Sequence, residues 1–168
     1  MSTFSSLWAE LEPIGREGSS GGYRRYAFNS AELACREWFI STAEQRGLAV
    51  ELDRNTNLWA WWTPAGIDPN AQALVIGSHL DSVPDGGAFD GPLGVVSAFA
   101  AFDQLRESGV QPTRPVAIVA FVAALFASRR NRSLMLVVLS AVATLIGALA
   151  FWGMPSGARP SPTLFVLG

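Results

Sequence analysis

The first apolar pattern along the chain is helical. Phe4, Leu7, Trp8 and Leu11 recur at the spacing of one helix face and Pro13 ends the pattern, which predicts a short amphipathic helix over residues 3–12. Gly15 to Gly22 is rich in Gly and Ser and reads as a loop. A second helix opens at Asn29, where Asn29 and Glu32 stand as N-x-x-E and can satisfy free amides reciprocally; it closes at Gly47 after Arg46. Leu33, Trp38, Phe39 and Ala43 supply most of its expected buried face. Cys35, on the same helix, reads as a small core residue rather than a nucleophile.

The period then changes. Residues 48–53 (LAVELD) and 57–62 (NLWAWW) predict two strands joined by the turn-prone Arg54-Asn55-Thr56, with the tryptophans as packing residues. After a loop at 63–70, residues 73–79 (ALVIGSH) form a short apolar run ending in polar residues, the pattern of a buried strand. A Gly- and Asp-rich loop covers 81–91. Pro92 suits the first position of a helix with Val95, Ala98, Phe99, Phe102 and Leu105 as its apolar face, closed by Gly109. Beyond Arg114-Pro115, the run VAIVAFVAALFA is too short at 12 residues to span a bilayer and suits another buried strand. Strand, loop, helix and strand in this order make a βαβ unit, so residues 1–121 predict an α/β layer with a largely parallel sheet.

Charge divides the chain differently. Residues 1–107 hold all 14 acidic residues and 7 of the 12 arginines, a net of −7, whereas residues 108–168 hold five arginines and no acid. From Leu134 to Met154 run 21 residues without a charge, and as a helix they would be roughly 31 Å long, a match to a bilayer core. Arg129, Arg130 and Arg132 precede this stretch, so insertion would leave the N-terminal part in the cytoplasm. The opening MSTFSSLWAELEP has no secretory signal pattern. Lysine is absent and no basic run is interleaved with aromatics, which argues against a nucleic-acid partner.

One His and one Cys are too few for a zinc site built from several of either. The position of the single histidine matters more. His79 ends a predicted strand, where α/β proteins place ligands, and Asp81 two residues on can share its face and hold one ring nitrogen. Asp90 lies beyond a loop made pliable by Gly86 and Gly87, from which a carboxylate can return to the same point. From these residues alone two plainer readings stay open: His79 and Asp81 as a hydrogen-bonded pair, and Asp90 as the N-cap of the helix at Pro92.

The whole segment Gly77 to Gly94, GSHLDSVPDGGAFDGPLG, resembles the zinc-dependent amidohydrolases of the peptidase M20 superfamily, in the branch of allantoate amidohydrolases and N-carbamoyl-L-amino-acid hydrolases. Asn57-Leu58-Trp59, the Arg24–Tyr26 region and Arg114-Pro115 fall in the order of that family, and the resemblance runs from about residue 4 to Phe121; Thr56 departs from it, standing where a Gly is usual. The resemblance implies the partial catalytic domain of a dinuclear hydrolase acting on linear, non-peptide carbon–nitrogen bonds. His79 would ligate one metal ion, Asp90 would bridge two, and Asp81 would orient His79. Zinc is the implied metal, with manganese as the alternative, and a small ureido or amide molecule is the implied substrate.

Phe121-Val122-Ala123-Ala124-Leu125 stands where the family has Glu-Glu-Gly, which supplies the general base and a further ligand. The later histidine ligands and the homodimerisation domain of the family also have no counterpart. The expectation is therefore an inactive fragment over residues 1–121, cytoplasmic, followed by a non-family tail at 122–168 that arises from a frameshift or serves as a membrane anchor through an apolar helix at 134–154. The alternative function is a non-catalytic, membrane-associated protein that keeps a remnant α/β domain.

Overall fold

The computed structural model describes residues 4–122. Its elements are α1 (Phe4–Leu11), α2 (Ser30–Glu44), β1 (Ala49–Leu52), β2 (Leu58–Trp62), β3 (Leu74–His79), α3 (Pro92–Glu107) and β4 (Val116–Phe121). The elements predicted within residues 4–121 form, within a few residues of their expected starts. Asn29 caps α2 by accepting the Glu32 amide at 2.9 Å, and Glu32 returns its carboxylate to the Phe28 amide at 3.0 Å. Cys35 is fully buried, and burial pushes its thiol pKa up to about 11.

The four strands lie in the order β1-β2-β4-β3. Leu58, Ala60, Ile118 and Ala120 face a core shared with Leu7 and Leu11 of α1, Phe39 and Ala43 of α2, and Val95, Phe99 and Phe102 of α3. Side chains alternate along a strand, so the three helices cover one face of the sheet. Phe99 sits at the centre, with the rings of Trp38 and Phe39 set edge-on at 5.9 and 5.2 Å. The opposite face carries Trp59, stacked on Trp61 at 5.7 Å and edge-on to Phe121 at 6.1 Å. Across the core, Arg46 beyond α2 grips Asp103 of α3 through two bonds of 2.9 and 2.7 Å.

Three expectations are corrected. The sheet is not largely parallel: β1 with β2 and β2 with β4 are antiparallel, and only β3 with β4 is parallel. A turn as short as 53–57 can only return the chain antiparallel, and the crossover through α3 accounts for the single parallel pair. Second, among the described residues β3 is an edge strand rather than a buried one, with Leu74 and Val75 52% and 43% exposed. Third, Leu33 and Leu105 are exposed, while Glu32 and Thr42 are buried in place of the leucine on α2. Among the described residues no helix is long and apolar enough to cross a membrane. The apolar stretch 134–154, and the tail 122–168 apart from Val122, lie outside the described residues.

The hairpin between β1 and β2 is built on Asp53, whose Oδ1 accepts the amides of Asn55 and Asn57 at 2.8 and 2.9 Å. Thr56 completes it at φ +65°, a region that disfavours a β-branched residue and explains why glycine is usual at this position. Its carbonyl accepts from Arg36 at 2.6 Å, a bond that needs no side chain at 56. Thr56→Gly is expected to stabilise the protein by about 0.5–1 kcal/mol, the relief of strain exceeding the entropy cost of glycine. Urea unfolding of the two proteins measures this; a loss of stability would contradict the strained turn.

Candidate metal centre

The site is assembled where β3 ends. His79 pairs in parallel register with Phe121 of β4, so its ring emerges at the C-terminal edge of the two parallel strands, and the chain turns away at Leu80. The loop 81–91 then folds back over the ring. This return depends on Gly91 at φ +79°, where a Cβ would lie 2.6 Å from two atoms of the His79 ring and 2.7 Å from the His79 carbonyl. Close approach of α3 to β3 depends on Gly94 in the same way, since a Cβ there would lie 2.7 Å from the Ser78 Cβ.

The geometry fixes the imidazole. Nδ1 lies 3.0 Å from the Asp81 main-chain carbonyl. A carbonyl only accepts, so Nδ1 carries a hydrogen and Nε2 is left to bind something else. The Asp81 carboxylate also approaches, with Oδ1 3.2 Å from Nδ1, yet the Nδ1 hydrogen serves the carbonyl and Oδ1 stays buried without a hydrogen-bond partner. Nε2 faces Asp90 Oδ1 at 3.8 Å, beyond hydrogen-bond range. Burial pulls the His79 pKa down, but the Asp81 and Asp90 carboxylates outweigh it and hold the pKa above the usual histidine value.

Those features suit a cation. Two ligands each about 2.1 Å from one ion stand at most about 4.2 Å apart, so Nε2 and Asp90 Oδ1 at 3.8 Å can share it. The orphaned Asp81 oxygen adds negative charge behind the ring, the usual support for a ligating imidazole. The donor set stops there: among the described residues no group of three or more His, Cys, Asp or Glu is placed to hold a metal ion. The plainer reading of Asp90 does not hold, since the N-cap of α3 is Gly91 and no side chain caps the helix. His79 and Asp81 do form the close pair that spacing allowed, but through the main-chain carbonyl. Ser82, which ties this loop to residues 23–25, was not singled out from sequence; a small hydroxyl residue directly after Asp81 was the available signal.

Comparison with known proteins agrees with the motif. A family model described as Peptidase family M28 matches residues 57–124. An N-carbamoyl-L-amino acid amidohydrolase of Geobacillus stearothermophilus is 38% identical over 117 residues, 68% of this chain and 28% of that protein. Over about two thirds of its length this chain is homologous to the N-carbamoyl-L-amino-acid amidohydrolases and allantoate deiminases. Allantoate deiminase 1 of Glycine max is 35% identical over 116 residues, 67% of this chain and 24% of its own length. The crystal structure of a hydantoinase/carbamoylase family amidase from Burkholderia ambifaria superposes with a TM-score of 0.63 at 33% identity, over 70% of this chain and 29% of that one. The chain thus spans about a quarter of the length of these relatives. The matching family model is of family M28, whereas the relatives are those of the M20 branch that the Gly77–Gly94 motif indicated.

Replacing Gly91 by Ala is expected to cost about 1–3 kcal/mol, from the positive φ and the collision with His79. The variant is also expected to shift the single histidine Hε1 resonance. Urea unfolding with proton NMR checks both, and an unchanged resonance would contradict the packing of Gly91 against the ring.

Proposed function

We propose that residues 4–122 are the first part of the catalytic domain of a metal-dependent amidohydrolase. Its substrates are linear ureido or amide compounds, with N-carbamoyl amino acids and allantoate as the leading class. The single observation that carries this reading is the freed His79 Nε2 facing Asp90 Oδ1 at 3.8 Å, beside a buried Asp81 oxygen that has no hydrogen-bond partner. The names of the homologues supply the reaction class.

In this reading His79 holds the first ion through Nε2, and Asp90, with a carboxylate about half exposed, has a second oxygen to offer a second ion. A bound divalent cation, zinc or manganese, supplies Lewis-acid polarisation of the scissile carbonyl. The Asp81 carbonyl keeps the imidazole in the tautomer that ligates, and its carboxylate raises the ring's affinity for positive charge. A general base is still required to move a proton from water to the leaving nitrogen. No acidic residue follows Glu107 in this sequence, and in this reading the carboxylates beside His79 serve the ion, Asp90 as a ligand and Asp81 as support for the ring. We therefore infer weak metal binding and no turnover by this chain alone. No observation among the described residues favours the membrane-associated alternative.

Calorimetry of the full chain with zinc tests the site: His79→Ala and Asp90→Ala are expected to abolish binding, and Asp81→Ala to weaken it about tenfold. Binding that survives His79→Ala would overturn the metal reading. Ammonia release from N-carbamoyl amino acids or allantoate, with zinc or manganese added, is expected to stay at the uncatalysed rate. Enzyme-like turnover lost in His79→Ala would show the inactivity to be wrong while upholding the reaction class.

A further inference from the structure

Residues 23–25 run as a strap beneath the loop that carries Asp81 and Asp90, and they grip it at two points. Ser82 makes the first. Its hydroxyl accepts the Arg25 amide at 3.0 Å and donates to the Tyr23 carbonyl at 3.1 Å, while its own amide donates to the Arg25 carbonyl at 2.8 Å. The second grip is the Tyr23 amide on the Gly86 carbonyl at 3.0 Å, four residues before Asp90. The strap is itself tied to the C-terminal end of α1. Arg25, only 2% exposed, donates to the carbonyls of Ile14 and Leu11 at 2.7 and 2.9 Å, and the Tyr23 hydroxyl donates to the Glu12 carbonyl at 2.8 Å. No carboxylate pairs with the Arg25 guanidinium among the described contacts; it lies over the Tyr23 ring at 4.2 Å.

One peptide group connects this strap to the metal centre. The amide that Ser82 gives to Arg25 and the carbonyl that Asp81 gives to His79 Nδ1 belong to the same planar unit. The plane cannot tilt at one end without tilting at the other, so whatever holds the Ser82 end also aims the acceptor that fixes the imidazole. We propose that Ser82 is a positioning residue for the metal centre, its hydroxyl locking the Asp81–Ser82 peptide so that His79 presents Nε2 to the ion. This rests on the reading of His79 as a metal ligand. Without the hydroxyl, the Arg25 amide and the Tyr23 carbonyl lose a partner in a buried place, and the loop has to shift to hydrate them.

The test compares the full chain with its Ser82→Ala and Ser82→Thr variants. Two readouts are used: the tautomer of the single histidine in metal-free protein, from nitrogen-15 NMR at a pH where the ring is neutral, and zinc affinity by calorimetry. The unaltered protein and Ser82→Thr are expected to show the hydrogen on Nδ1. Ser82→Ala is expected to fold cooperatively, show a mixture of tautomers and bind zinc ten to a hundred times more weakly. An unchanged tautomer and affinity in folded Ser82→Ala would overturn the proposal. If Ser82→Ala does not fold, hydrogen exchange on the unaltered chain decides: zinc is expected to slow the Ser82 and Arg25 amides at least tenfold, and unaltered exchange would overturn it. Failure of the unaltered chain to bind zinc would count against the metal reading alone, and the metal-free tautomers, or their failure to differ, would still decide the role of Ser82.

Discussion

β4 is the strand on which the rest of the described structure hangs. It bonds to β2 on one side and β3 on the other, and Val116 to Ala120 are at most 6% exposed. A strand covered on both faces and both edges has no room for a polar residue, hence the unbroken apolar run VAIVAF. Its parallel register with β3 decides where His79 emerges, and its antiparallel register with β2 brings the hairpin against the helices. Asn57, at the end of the turn that leads into β2, accepts the Val122 amide at 3.0 Å and so ties down the end of β4 beside the site.

The site itself uses few groups, each held by main chain rather than by side-chain pairing. His79 is aimed by a carbonyl, Gly91 admits the returning loop, and the strap from α1 supports the peptide between Asp81 and Ser82. Such an arrangement suits a ligand that must keep one ring nitrogen free. The carboxylates that favour a proton on His79 favour a metal cation for the same electrostatic reason, and a metal and a proton compete for Nε2.

Much of this was legible in the sequence because it is local. Helical spacing located α1 and α3, the Asn29–Glu32 pair located the start of α2, and the motif from Gly77 to Gly94 carried the kinship that the homologues bear out. What escaped depends on partners. Alternation within a strand does not encode the direction of its neighbour, so the antiparallel β2–β4 pairing was missed. The buried arc of α2 includes Glu32 because its carboxylate bonds the Phe28 amide, while Leu33, which periodicity favoured, points to solvent. Nothing in the sequence marks Arg25 as buried; it is held inside by the Leu11 and Ile14 carbonyls, which accept its guanidinium, and by the Tyr23 ring beneath it.

X-ray absorption at the zinc edge of the zinc-loaded full chain tests the central claim most directly. The account predicts a first shell of nitrogen and oxygen only, at about 2.0–2.2 Å, with the outer-shell scattering of a single imidazole, that of His79, the one histidine in the sequence. Sulfur at about 2.3 Å, which would point to Cys35, or a spectrum without an imidazole, would contradict it.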